Sequence, residues 1–130
     1  MKIPNRKQKV PLADSNPQQI MNGMAEKNRM LTQKNAEYIE LVEIRAAAEK
    51  AHSVAAAKVT LREKVGGQSI TLIPVIVRGD KVVADLKYAL DISEGVMKAC
   101  LQSIKNLTTA IDTYRSLLAW ERAEYDRTQG

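Results

Sequence analysis

The sequence predicts an all-α protein, an elongated antiparallel helical hairpin or coiled-coil bundle with a short extended, β-like segment at its tip. Two observations carry this. The first is a heptad sustained from Val83 to Tyr125. One column reads Val83, Leu90, Met97, Ile104, Ile111, Leu118, Tyr125 and is apolar throughout. The other reads Leu86, Ser93, Cys100, Leu107, Tyr114, Glu121 and is mixed. Such spacing holds a helix against another helix. The second observation is symmetry of length. Two proline-free stretches of similar size flank a short segment, and the simplest way to join them is to fold back. Composition agrees: Phe is absent and aromatics are 4%. Rings normally supply much of a thick core, so their scarcity suits a thin helical seam.

Residues 1–16 read as a flexible basic tail. They contain Pro4 and Pro11 and show no helical period. Lys2, Arg6, Lys7 and Lys9 oppose only Asp14, so this short stretch carries most of the chain's formal charge of +5. A basic arm of this kind can lie along phosphates with strongly salt-dependent affinity. These four residues are therefore the candidate polyanion contacts.

Asn16-Pro17 opens the first helix, with Asn16 as cap and proline in the first turn, where it loses no hydrogen bond. The helix is expected over 17–65, up to Gly66-Gly67. Its stripe is less regular. Ile20, Met24, Leu31, Tyr38, Leu41, Val42, Ala48, Ala55 and Val59 fall near one face, and Lys27, Lys34, Arg45 and His52 interrupt it. Long stems such as Arg45 can snorkel from the seam edge.

Residues 66–80 form the connector. Ile70-Thr71-Leu72-Ile73-Pro74-Val75-Ile76-Val77 is β-branched and apolar and reads as extended, with Pro74 consigning it to an edge. Arg78-Gly79-Asp80 is a turn. Lys81-Val82-Val83 either returns as a short second strand or opens the second helix with Asp80 as its cap; the heptad includes Val83 and favours the helix, expected over 81–127. Its stripe is widened by Val82, Ala89, Val96, Ser103, Ala110 and Leu117, which suits a helix touching two neighbours. Tyr88, Ile92, Leu101 and Trp120 lie off the main seam. Gly95 sits inside this helix at a cost of about 1 kcal/mol against Ala and marks a close crossing or a bend.

Several functions find no support. One histidine and one cysteine cannot make a zinc site with standard spacing. Gly66-Gly67 ends a helix instead of opening a phosphate loop. Carboxylates such as Glu37, Glu40 and Glu43 share helix faces with lysine and arginine, as solvated charged faces do. Cys100 falls on the seam, where a small buried hydrophobe belongs, and His52 reads as an interface histidine. We expect no catalytic residue, no cofactor, no metal and no small-molecule substrate. Neither helix carries a basic stripe suited to a DNA groove. The first residues lack the apolar core of a signal peptide, no apolar run is long enough to span a membrane, and no cysteine pair points to an oxidising compartment. The expected location is cytoplasmic, or virion-associated for a viral protein.

The order long helix, short β segment, long helix is similar in outline to prefoldin-like chaperone subunits and to many small phage or bacterial assembly proteins. That likeness of architecture implies an assembly role. The leading expectation is a non-enzymatic oligomeric assembly or adaptor protein, possessing the small size of viral or mobile-element factors. Val83, Leu86, Leu90, Met97, Ile104, Leu107, Ile111 and Leu118 are the candidate oligomer seam. Ile70, Leu72, Ile73, Val75 and Trp120 are the candidate contacts with another protein. The alternatives are a nucleic-acid-binding or packaging factor acting through the basic arm, and an inhibitor docking on a host enzyme.

Overall fold

The computed structural model describes residues 16–129. The basic tail and its candidate contacts Lys2, Arg6, Lys7 and Lys9 lie outside the described residues. Among the described residues every regular element is helical: α1 (Pro17–Val65), α2 (Ile73–Gly79) and α3 (Lys81–Gln129). The two long helices pack against each other.

Local chemistry sets the helix ends. The Gln19 amide donates to Asn16 Oδ1 at 2.8 Å, and the Asn16 amide donates to Gln19 Oε1 at 3.3 Å. This reciprocal pair satisfies two donors that the first turn of α1 would leave orphaned. At the other end Gly67 takes φ +85°, a conformation costly for residues with a Cβ. The Gln68 amide then reaches the Glu63 carbonyl at 3.0 Å, and the Gly67 amide reaches that of Lys64 at 3.1 Å. These two bonds form a Schellman stop. Asp80 is extended, and its Oδ1 accepts from the Val83 amide at 3.1 Å, capping α3.

The connector corrects the expected extended segment. Ile73–Gly79 is a helix. Pro74 lies in its first turn, where a missing N–H costs nothing. Ser69 precedes it and accepts backbone bonds from Leu72 and Ile73. The β-branched residues follow because Ile73 is buried, 5% exposed, with Ile76 and Val77 half-buried. Burial outweighs a strand propensity of a few tenths of a kcal/mol per residue. The likeness to helix–β–helix chaperone subunits therefore lacks its β element.

Contact density divides the chain into two regions. The first is Lys34–Ser103; the second joins the described residues up to Gln33 to those from Ile104 onward. In the Lys34–Ser103 region, Val59, Ile73, Val83, Leu90 and Cys100 are buried, as is Ser93, whose hydroxyl donates to the Leu90 carbonyl at 2.7 Å. The Arg45 guanidinium crosses from α1 to α3 and donates twice to Glu94 Oε2, at 2.9 and 3.2 Å. A charged residue in the seam column thus reaches a partner at the seam edge. The Cys100 thiol donates to the Lys34 carbonyl at 3.6 Å. Low-numbered residues of this stretch of α1 meet high-numbered residues of α3, so the helices run antiparallel.

In the second region, Ile20 of α1 and Leu107 and Ile111 of α3 are buried. Gly23 has a specific reason to be glycine: an added Cβ would stand 2.7 Å from the Tyr114 ring. Tyr114 occupies a heptad station too crowded for two side chains. Gly95 of α3 differs. No heavy atom stands within 4 Å of the place its Cβ would take, so no close crossing within the described chain explains it.

Candidate protein-interaction surfaces

The predicted oligomer seam has its partner inside the chain. Val83, Leu90, Leu107 and Ile111 are buried, and Leu86, Met97, Ile104 and Leu118 half-buried, without any second copy. The α1 columns that close over them are Met24, Leu31, Tyr38, Arg45, His52, Val59 and Ile20, Lys27, Lys34, Leu41, Ala48, Ala55. All of these are buried or half-buried. The eight α3 residues therefore close the hairpin itself, and a contact between copies needs another face.

Such a face exists in the Lys34–Ser103 region. Ile44, Ala47, Ala51 and Val54 lie on one side of α1, and Val82, Ala89, Ile92 and Val96 on the matching side of α3; all are exposed. They line two shallow apolar grooves between the helices. The larger, of ≈ 500 Å³, includes Ala47, Ala51, Val54, Val82 and Leu86. The smaller, of ≈ 360 Å³, includes Ile44, Tyr88, Ala89, Ile92 and Val96. Tyr88 is 70% exposed and Ile92 52%. Ala47, Ala51 and Ala89, set among Ile44, Val54, Val82, Ile92 and Val96, keep this face shallow and apolar.

Near the connector, α2 packs beside the two long helices. Val77 and Arg78 of α2 border a cavity of ≈ 320 Å³ with His52 and Ala56 of α1 and Val83, Ala84 and Lys87 of α3. The Arg45–Glu94 pair occupies the edge of the seam. Salt bridges on exposed faces are local, as with Lys81–Asp85 and Lys87–Asp91.

The candidate partner contacts divide. Ile70, at 83% exposed, is free to meet another protein, as are Leu72 and Val75 around the connector. Trp120 on α3 is also exposed. Ile73 is not: it is core, because it is the residue by which α2 docks. In the second region, Pro17, Met21 and Met24 face Leu118, Glu121, Arg122 and Tyr125 across an open cleft of ≈ 510 Å³.

The Arg29 guanidinium, hydrogen-bonded to Glu26, holds the Glu26 carboxyl below its ordinary value and is itself raised. The Glu37 carboxylate raises Lys34. Among the described residues no three His, Cys, Asp or Glu side chains gather as a metal site would require, and no helix is long and apolar enough to cross a membrane. Comparison with family models, with curated proteins and with solved structures found no match.

Val82, Ala89, Ile92 and Val96 stand out in the sequence beside the α3 heptad, whereas Ile44, Ala47, Ala51 and Val54 do not. Their signal is nonetheless there: a second heptad on α1, offset from the first by one residue.

Proposed function

We propose that this chain is a non-enzymatic assembly or adaptor protein that works through protein–protein contacts. The observation that supports it is the amount of apolar surface one copy leaves in water. Ile44, Val54, Tyr88, Ile92 and Val96 form one contiguous face, and Ile70, Leu72 and Val75 form a second cluster at the connector. Scattered exposed apolar residues need no explanation, but contiguous faces mark interaction sites. The stripe serves self-association, and the connector and Trp120 serve a different protein, tryptophan being a favoured interface hot spot.

The test is chemical cross-linking of the full chain in lysate of its native host, in parallel with a Val75→Asp, Trp120→Ala variant. The reading expects one defined protein to be recovered with the wild type and lost with the variant, while helicity is unchanged. A chain that stays monomeric and recovers no protein in a way that depends on these residues contradicts it.

A further inference from the structure

We propose that the open stripe of the Lys34–Ser103 region is a two-fold symmetric interface with a second copy of this chain, the two α1 helices crossing antiparallel. This deepens the assembly reading and rests on it.

The spacing of the stripe selects a helical occupant. On α1 one column holds Ile44, Ala51 and Lys58, and the next holds Glu40, Ala47 and Val54. On α3 Val82, Ala89 and Val96 alternate with Asp85, Ile92 and Ala99. Both sets step by three and four residues, as the sealed seam does. An interval of 3.5 residues matches helices lying along it. Each helix then contacts two neighbours, as helices of a four-helix bundle do.

The order of residues along α1 selects a second copy. Read forward, the stripe is Glu40, Ile44, Ala47, Ala51, Val54, Lys58. Read backward, it is Lys58, Val54, Ala51, Ala47, Ile44, Glu40. An antiparallel alignment centred between Ala47 and Ala51 sets Glu40 opposite Lys58 of the second copy and Ile44 opposite its Val54. The alanines fall at the crossing, where small side chains let the backbones approach. Two-fold symmetry makes every pairing occur twice, the self-complementarity an isologous interface requires. Among the described residues neither Glu40 nor Lys58 forms an ion pair within its own chain. Both charges are therefore available.

The size is adequate. Ile44, Val54, Val82, Tyr88, Ile92 and Val96 are each about half exposed or more. Together they offer several hundred Å² of the roughly 800 Å² that each partner contributes to a standard interface. Pairing the stripe with its own copy about a two-fold axis occupies it on both chains, so the association through this face closes as a dimer and does not propagate.

Sedimentation equilibrium of the full chain tests this. The expected mass is twice 14.4 kDa. Lys58→Glu and Glu40→Lys each set like charges opposite one another at two symmetric places and weaken the dimer about tenfold. The double charge reversal restores it, and circular dichroism is the same for all four proteins because both positions are exposed. A wild type that sediments at 14.4 kDa up to the highest concentration reached overturns the proposal. So does a double reversal no tighter than the single variants. A monomer that still recovers a protein dependent on Val75 and Trp120 retires the dimer and leaves the adaptor reading standing.

Discussion

Leu90 and Ile92 are two residues apart on α3, yet one is sealed and the other wet. Leu90 is 7% exposed, Ile92 52%. Leu90 lies in the apolar column of the α3 heptad, and Ile92 lies on the neighbouring stripe with Ala89 and Val96. The difference is in what lies opposite: α1 covers Leu90, and no segment of the described chain covers Ile92. A stripe on a helix reports that a helical partner is needed. It does not report whether that partner comes from the same chain.

Substitutions can widen or erase this contrast. The largest effect belongs to the sealed stripe. Leu90→Asp buries an unpaired carboxylate and costs several kcal/mol, enough to melt the hairpin, read as lost ellipticity at 222 nm. Ile73→Asp attacks the same core from α2 and should cost nearly as much, whereas Val75→Asp, two residues on and exposed, should be within about 0.5 kcal/mol of wild type in urea unfolding.

Next come the two helical glycines. Gly95→Ala meets open space and should stabilise by about 1 kcal/mol. Gly23→Ala meets the Tyr114 ring, so it should forfeit that gain and destabilise by about 1 kcal/mol. In a Tyr114→Ala background the same change should turn stabilising, a double-mutant cycle that isolates the contact. If Gly23→Ala stabilises as much as Gly95→Ala in the wild type, the Tyr114 contact is not what selects glycine there.

Smaller still is the seam-edge pair. Glu94→Ala removes both Arg45 bonds and should cost about 1 kcal/mol in thermal unfolding, reduced at high salt because both groups are about a third exposed. The smallest is on the outer surface of α1. Glu26 has its carboxyl lowered by Arg29, so its contribution is present above the unfolded carboxylate value and fades as pH falls through the folded one. Glu26→Gln should flatten only that acid limb of the stability profile.

Much of this fold is legible in the sequence. Asn16, Pro17, Gly66-Gly67 and Asp80 are local signals, and each acts within a few residues of itself. The α3 heptad is legible because 3.5-residue periodicity survives any choice of partner. Arg45 is readable as a snorkelling residue, though Glu94 as its target is not, since 49 residues separate them. The connector misleads for a physical reason. Ile70 to Val77 has strand propensity, and Pro74 suits a strand edge and a first helical turn equally well. What decides is the burial of Ile73 against the long helices, a long-range effect that no local pattern contains. The same limit assigns Val83 to Leu118 to a seam between copies when α1 covers them.

The most direct measurement compares Leu90→Asp with Ile92→Asp, taking ellipticity and sedimentation mass on the same samples. The account predicts that Leu90→Asp loses helicity, while Ile92→Asp keeps it and sediments as a 14.4 kDa monomer where the wild type is a dimer. An Ile92→Asp protein that unfolds as Leu90→Asp does, or keeps the wild-type mass, would contradict the division into a sealed stripe and an open one.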